Sequence, residues 1–179
     1  MQKNTRTVAL IDGANLHRNI SELGWKLDYR KFRTFLSECY GVECALIFLG
    51  YLPENRRLYQ DLRRWGYSPV FRQTCRGFDG SVKGNCDGNL AVWAVASFFE
   101  QRYSSAVLVS GDGDFAALAS FLVSRGGLKG IIAPSWQGCS RFLRQTRADL
   151  VFLDRLKSQL QYEPGPRDVN PILPGYGRN

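Results

Sequence analysis

The chain has 179 residues, of which 44% are hydrophobic and 22% are charged. This composition excludes a disordered chain and a low-complexity fibre, and the length suits one globular domain with its own core. Lys and Arg number 24 against 16 Asp and Glu, so the formal charge of +8 favours a polyanionic partner such as nucleic acid.

A membrane partner is not expected. The longest apolar run, residues 90–99, is about half as long as the ~20 residues that a membrane span needs. Residues 1–7 lack the apolar segment of a signal peptide. The predicted location is therefore the cytoplasm, where the five cysteines are expected to be free thiols.

Short apolar runs alternate along the chain with segments of helical pattern. The runs are rich in branched residues and lack polar alternation, which is typical of strands buried on both faces of a parallel sheet. The predicted strands are Val8–Ile11, Ala45–Leu49, Val107–Val109 and Leu128–Ala133. The predicted helices are Asp28–Cys39, Glu54–Trp65, Asp87–Gln101, Asp114–Ser124 and Gln137–Thr146. This alternation predicts a doubly wound α/β sheet.

Two segments carry no periodic pattern. Residues 73–86 are predicted to form a functional loop. From Tyr162 onward the chain contains four of its seven prolines, and these forbid a regular helix or a central strand. The predicted domain therefore covers residues 1–161, and residues 162–179 are predicted to be a Pro/Gly-rich tail.

Aspartates follow the apolar runs at the points where strands give way to loops. Asp12 follows the first run, Asp112 and Asp114 follow the third, and Asp87 begins a predicted helix. The carboxyl ends of parallel strands form the rim of the ligand crevice in such sheets, so we expect Asp12 and Asp112 to lie side by side. Each aspartate is also a good cap for a turn or a helix, and this alternative stays open.

Four clustered carboxylates repel one another unless a cation neutralises them. Oxygen ligands, in a chain with a single histidine, select Mg²⁺ or Mn²⁺ over zinc. Such an ion can activate a water molecule and stabilise charge on a phosphodiester. The aspartates therefore indicate nuclease chemistry.

Basic residues are concentrated between residues 55 and 86, interleaved with aromatic residues. The basic residues of this region are Arg56, Arg57, Arg63, Arg64, Arg72, Arg76 and Lys83. Arginine and aromatic side chains together suit single-stranded nucleic acid. A second group, Arg141, Arg144 and Arg147, is predicted to lie on one flank of the last long helix. The alternative for either group is a solvated helix face.

Four motifs together resemble a known family. They are Val8–Asn15 (VALIDGAN), Lys83–Asp87 (KGNCD), Val107–Phe115 (VLVSGDGDF) and Leu143–Phe152. In order and spacing they resemble the NYN domain in its bacterial LabA-like branch, over roughly residues 6–157.

This resemblance implies a PIN-like, Rossmann-type, three-layer α/β/α sandwich with a central, mostly parallel sheet. It also implies a ribonuclease, a hydrolase of RNA phosphodiester bonds, that depends on Mg²⁺ or Mn²⁺. The family's acidic metal and catalytic positions fall on Asp12, Asp87, Asp112 and Asp114, its asparagine on Asn15 and its serine on Ser110.

The expected partner is RNA, single-stranded or structured. The residues expected to contact it are Asn15, Lys83, Ser110, Arg56 and Arg76. Asn15 and Ser110 can equally satisfy a tight turn.

Three alternatives stay open at this point. A non-catalytic RNA-binding or scaffold protein would use the same basic surface and keep the acidic site. A phosphatase of the haloacid dehalogenase type is suggested by Asp112 and Asp114, two residues apart after a strand. A homodimer is also compatible with the sequence.

Overall fold

The computed structural model describes residues 6–72 and 86–164, together with the backbone of residues 75–76 and 82–83. The strands are β1 Thr7–Asp12, β2 Val42–Gly50, β3 Tyr67–Arg72, β4 Cys75–Arg76, β5 Val82–Lys83, β6 Ser105–Val109, β7 Leu128–Ala133 and β8 Leu150–Phe152. The α-helices are α1 Gly13–Glu22, α2 Tyr29–Tyr40, α3 Arg56–Arg64, α4 Asp87–Phe99, α5 Ala116–Ser124, α6 Arg141–Arg144 and α7 Lys157–Leu160. Short 3-10 turns cover Pro53–Asn55, Gly113–Phe115 and Leu153–Leu156.

Six strands form one parallel sheet in the order β3-β2-β1-β6-β7-β8. From β1 to β3 the chain adds strands on one side of the sheet, and from β6 to β8 it adds them on the other. β1 and β6 therefore lie side by side at the centre, where the direction of the strand order switches. In open α/β sheets this switch point opens a crevice beyond the carboxyl ends of the strands, and ligands bind there. The predicted α/β fold class is confirmed.

The core lies on both faces of the sheet, because alternate residues of each strand point to opposite sides. Ala9 and Ile11 of β1 pack with residues of α1, α2 and α3, whereas Val8 and Leu10 pack with residues of α4, α5 and α6. All four are at most 3% exposed. The sheet is therefore held between two helical layers, and the ends of β1 and β6 are fixed relative to each other.

The four predicted strands correspond to β1, β2, β6 and β7, and the structure adds β3 and β8. Both added strands lie at the edges of the sheet. β3 contains Ser68 and Pro69 and is only partly buried after Tyr67, so it has no continuous apolar run. A proline is tolerated there because an edge strand leaves some of its N–H groups unpaired.

The predicted helix Gln137–Thr146 is wrong in extent, since α6 covers only Arg141–Arg144. Its arginines therefore do not form one helical flank. Arg144 instead donates hydrogen bonds from Nη1 to the carbonyl oxygens of Trp136 (2.7 Å) and Cys139 (2.8 Å). Arg147 lies beyond the end of the helix.

Part of the chain lies outside the described residues. In the predicted functional loop 73–86, the backbone of β4 pairs antiparallel with that of β5, and the side chains of residues 73–85 are not described. Arg76 and Lys83 are therefore placed by backbone only. Of the predicted tail, residues 165–179 lie outside the described part. Among the described residues, no helix has the length and apolar character to cross a membrane.

Candidate active site

Three carboxylates meet at the switch point of the sheet. Asp87, Asp112 and Asp114 each offer a carboxylate oxygen, and these oxygens all lie within 4.8 Å of one another. Asp87 is the first residue of α4, Asp112 follows β6, and Asp114 belongs to the 3-10 turn after it. We call these three residues the acidic cluster. Asp87 and Asp112 are half-buried and Asp114 is exposed, so the cluster is open to solvent on one side.

Asp12 lies deeper than the acidic cluster and is only 4% exposed. Its Oδ1 accepts a hydrogen bond from the backbone N–H of Asn15 (3.1 Å), and its Oδ2 accepts one from the Ser110 hydroxyl (3.2 Å). Asp12 is not among the three residues whose oxygens lie within 4.8 Å. Its two oxygens thus bond to the first turn of α1 and to Ser110, the residue that follows β6.

Burial raises the pKa of Asp12 from 3.8 to about 6, because the ionised carboxylate loses hydration. The Asn15 hydrogen bond opposes this rise, and the negative charges of Asp87 and Asp112 add to it. Asp12 therefore lies close enough to the acidic cluster to interact with it electrostatically. A cation at the cluster would favour the ionised form of Asp12.

We expect Asp12→Asn to stabilise the metal-free protein at neutral pH. The unfolded chain releases the Asp12 proton near pH 3.8 and the folded chain near pH 6. Between pH 3.8 and about pH 6, the folded protein keeps this proton while the unfolded chain has already released it. The free energy of unfolding therefore falls as the pH rises through this range. The loss approaches on the order of 2–3 kcal/mol at pH 8. Urea unfolding in EDTA at pH 4 and pH 8 should show the variant's advantage at pH 8 only. An advantage that does not change with pH would contradict this assignment.

Ser110 and Asn15 join the first turn of α1 to the turn that follows β6. The Ser110 hydroxyl oxygen also accepts the backbone N–H of Asp112 (3.1 Å). The backbone N–H of Gly111 donates to Asn15 Oδ1 (3.0 Å). Ser110 is 0% exposed and Asn15 is 7% exposed. Ser110 thus bonds to Asp12 and to the backbone of Asp112, and Asn15 bonds to Asp12 and to the backbone of Gly111. These bonds hold Asp12 and Asp112 in place.

A third loop packs against the turn that carries Asp112. The backbone N–H of Ser140 donates to the Gly111 carbonyl oxygen (2.8 Å). A Cβ added to Gly111 would overlap the carbonyl oxygen of Gly138, so only glycine allows this approach. The loop before α6 therefore fixes the backbone on one side of the acidic cluster.

The acidic cluster fits a hard divalent cation. Its donors are three carboxylates, the set that Mg²⁺ and Mn²⁺ prefer over zinc. Cys86, next to Asp87, stays a neutral thiol because burial and then the charges of Asp12 and Asp87 raise its pKa to about 11. It therefore adds no soft thiolate to the site.

The capping alternative applies differently to the individual aspartates. Asp28 accepts from the N–H groups of Arg30 (2.8 Å) and Lys31 (3.2 Å), and it caps α2. Asp12 caps α1 and Asp112 caps the 3-10 turn, where its Oδ1 accepts the Asp114 N–H (3.1 Å). Asp112 therefore has a capping role and also belongs to the acidic cluster, so the two roles do not exclude each other.

The predicted basic region reaches the carboxyl ends of the strands, where the acidic cluster also lies. α3 begins there with exposed Arg56, shortly after the carboxyl end of β2. Tyr51, directly after β2, is 36% exposed and makes an edge contact with Phe71 at 5.5 Å between ring centroids. The Arg63 guanidinium lies 5.8 Å from the Phe71 ring centroid. Cations and rings are thus adjacent here.

Comparison with known proteins identifies the family. The NYN domain family matches residues 6–154, which include β1, β6 and all members of the acidic cluster. The chain belongs to the NYN domain family. No curated protein matches the sequence.

The fold of this NYN domain protein also occurs in a solved structure. That structure is the crystal structure of a protein of unknown function from Vibrio parahaemolyticus RIMD 2210633. It is 22% identical, covers 90% of this chain and 99% of its own chain, and superposes with a TM-score of 0.73. At this identity the likeness extends to the fold alone.

Sequence reasoning missed two exposed aromatic residues near this edge. Trp136 is 52% exposed and Phe142 is 61% exposed. Phe142 belongs to the predicted helix Gln137–Thr146 and Trp136 directly precedes it, and single aromatic residues carry no distinguishing signal in such a pattern. Only the tertiary contacts separate them from ordinary surface residues: Phe142 lies against Gly113 in the turn that carries Asp112, and Trp136 lies against Arg144 and Phe152.

Proposed function

We propose that this NYN domain protein, of the LabA-like branch, is a metal-dependent ribonuclease that hydrolyses RNA phosphodiester bonds. The observation that carries the proposal is the acidic cluster, three carboxylates within 4.8 Å at the switch point of a parallel sheet. NYN domains resemble PIN-like nucleases, and family membership supports the same reaction class.

Asp87, Asp112 and Asp114 would hold Mg²⁺ or Mn²⁺, and Asp12 is kept as a predicted fourth ligand. Bound there, the ion supplies charge stabilisation for the phosphodiester and lowers the pKa of a water molecule. Asp12 stands behind the cluster and acts through Ser110, whose hydroxyl oxygen accepts the Asp112 N–H. Asn15 fixes the Gly111 N–H in the same turn. Asp12, Asn15 and Ser110 therefore position Asp112 and keep the cluster in one geometry.

The charge distribution favours a polyanionic substrate, and membership of the NYN domain family supports RNA within that class. The net charge of +8 attracts a polyanion, and exposed Arg56 lies on the edge of the sheet that carries the cluster. The side chains of Arg76 and Lys83 lie outside the described part of the structure. Their contacts with the substrate therefore stay a prediction. Phosphate contacts of this kind position the strand without reading its sequence.

We expect Arg56→Gln to weaken RNA binding by a similar factor for all sequences. Loss of one phosphate contact should also reduce the slope of log affinity against log salt by about 0.7 for a single strand. Fluorescence anisotropy between about 50 and about 300 mM KCl measures both. Lys129→Gln is the matched control and should leave the slope unchanged. Lys129 is an exposed cation at the start of β7, at the opposite end of the strands from Arg56.

The test of the proposed activity is cleavage of labelled RNA and single-stranded DNA oligonucleotides in Mn²⁺, in Mg²⁺ and in EDTA. Metal-dependent cutting of RNA supports the proposal, and the product ladder separates endonucleolytic from exonucleolytic cleavage. Binding without cutting in every condition would contradict it and favour a non-catalytic RNA-binding protein. Hydrolysis of p-nitrophenyl phosphate with a trapped aspartyl-phosphate would instead favour the phosphatase alternative.

Three further predictions from the sequence are kept as proposals. They are a domain that ends near residue 161 before a Pro/Gly-rich tail, a cytoplasmic location, and a homodimer. The molar mass of the full chain in solution, measured by light scattering, tests the last of these directly.

A further inference from the structure

An exposed aromatic ring stands beside the acidic cluster. Phe142 is 61% exposed, and its Cδ2 lies 3.4 Å from the point where a Cβ on Gly113 would be. Gly113 is the residue between Asp112 and Asp114. The ring therefore borders the turn that supplies two of the three carboxylates.

The backbone that carries this ring is firmly held. The Phe142 N–H donates to Ser140 Oγ (3.2 Å), and the Ser140 N–H donates to the Gly111 carbonyl oxygen (2.8 Å). The next residue, Leu143, is 0% exposed and belongs to the core. Phe142 is thus anchored both to the core and to the turn of Asp112, and its exposure does not result from a frayed loop.

Folding alone does not account for Phe142. Burial of a phenylalanine side chain stabilises a protein by roughly 1.5–3 kcal/mol, and most of this gain is absent at 61% exposure. Within the described part of the chain, no other aromatic ring stacks on it. More than half of its surface is therefore accessible to an external planar group.

The neighbouring Trp136 is less available. The Arg144 guanidinium lies 4.5 Å from the Trp136 ring centroid and is fixed by hydrogen bonds to the carbonyl oxygens of Trp136 and Cys139. The Phe152 ring meets Trp136 edge-on at 5.7 Å. These contacts stabilise the loop before α6. In the described part of this region, Phe142 is the exposed ring that borders the turn of Asp112.

We propose that Phe142 stacks against an unpaired base of the RNA, next to the phosphodiester held at the acidic cluster. This inference rests on the proposed function and makes the substrate single-stranded at that nucleotide. A base within a duplex is already stacked on both faces, so it cannot take up this contact. Stacking on an aromatic ring tolerates any base, because each base has a π face. Phe142 is therefore a substrate-positioning residue that selects for strand state and tolerates any sequence.

The test uses the full chain with Asp112→Asn, so that RNA is bound without being cut. Affinity is measured by fluorescence anisotropy for a single-stranded RNA and for a blunt duplex that contains the same strand. Adding Phe142→Ala should weaken single-strand binding about tenfold and leave duplex binding unchanged. Phe142→Trp should restore single-strand binding, since it keeps an aromatic face.

Phe99→Ala is the matched control. Phe99 is 60% exposed and ends α4, whose first residue belongs to the acidic cluster, so its ring lies at the far end of that helix. This substitution should not change the affinity for either RNA.

A series of RNAs that each lack one base locates the contact. Loss of the stacked base should weaken binding to the protein that keeps Phe142 and should have no effect when Phe142→Ala is present. The other positions should respond equally in both proteins. This non-additivity identifies the nucleotide that meets the ring.

Several outcomes would overturn the stacking proposal: unchanged single-strand affinity in Phe142→Ala, an equal loss for the duplex, or an equal loss in Phe99→Ala. Failure of the proposed function looks different. If wild-type protein binds RNA through Phe142 but cuts none, stacking stands and the ribonuclease proposal falls. If it cuts RNA and Phe142→Ala binds as before, only stacking falls. Absence of any RNA binding overturns both.

Discussion

Substitution Asp112→Asn is expected to lower RNA cleavage at least about a thousandfold, since a bound metal ion contributes several kcal/mol of charge stabilisation. Asp112 supplies one of the three oxygens that lie within 4.8 Å of one another. Its Oδ1 also accepts the Asp114 N–H, and an asparagine keeps an oxygen that can accept this bond. The substitution therefore removes negative charge with little change to the turn. RNA affinity should stay within about threefold, because most phosphate contacts lie outside the acidic cluster.

Asp149→Asn is the matched control for this substitution. Asp149 is exposed and lies directly before β8. It is therefore at the amino ends of the strands, whereas the acidic cluster is at their carboxyl ends. The substitution removes the same charge and should leave the cleavage rate unchanged. Initial rates of both variants on one labelled RNA decide the matter, and cleavage by Asp112→Asn at the wild-type rate would contradict the assignment of the acidic cluster.

Substitution Gly111→Ala is expected to destabilise the protein by about 3 kcal/mol, at the upper end for overpacking. The new Cβ would overlap the Gly138 carbonyl oxygen, and this neighbour is backbone that cannot turn aside. Relief by movement of the turn would weaken the hydrogen bonds of Gly111 with Asn15 and Ser140. RNA cleavage should fall as well, because Asp112 moves with Gly111.

Gly88→Ala is the control for the glycine substitution. Gly88 lies in the first turn of α4, and a Cβ there meets nothing within 4 Å. Alanine at such a helical position should stabilise the protein by about 0.5–1 kcal/mol. Urea unfolding of both variants measures the difference, and an unchanged midpoint for Gly111→Ala would show that the loop before α6 does not pack as described.

The centre of the fold could be predicted from the sequence because its strands are buried on both faces. β1, β2, β6 and β7 each contain a continuous apolar run, and the end of such a run marks the carboxyl edge of the sheet. From this it followed that Asp12 and Asp112 would be neighbours. The edge strand β8, with three residues, is too short to give such a pattern.

The inner arrangement of the site could not be predicted, because it depends on tertiary hydrogen bonds. Asp12 is the last residue of β1, and Asp112 lies three residues after the end of β6. Because both follow apolar runs, the sequence predicted both as metal ligands. The bonds of Asp12 with Asn15 and Ser110 hold it in a buried position outside the acidic cluster, and its role as a metal ligand stays a prediction. In the same way, α6 begins only at Arg141, because Ser140 caps it and the loop before it packs against Gly111.

The most direct test of the metal centre is one Mn²⁺ titration in which bound ion and RNA cleavage rate are followed together. Bound Mn²⁺ is measured by loss of the free-ion electron paramagnetic resonance signal. In the wild-type protein, both quantities should rise and saturate together, and in Asp112→Asn both should be lost. Cleavage that persists in EDTA, or Mn²⁺ binding that is the same in wild type and Asp112→Asn, would contradict the account.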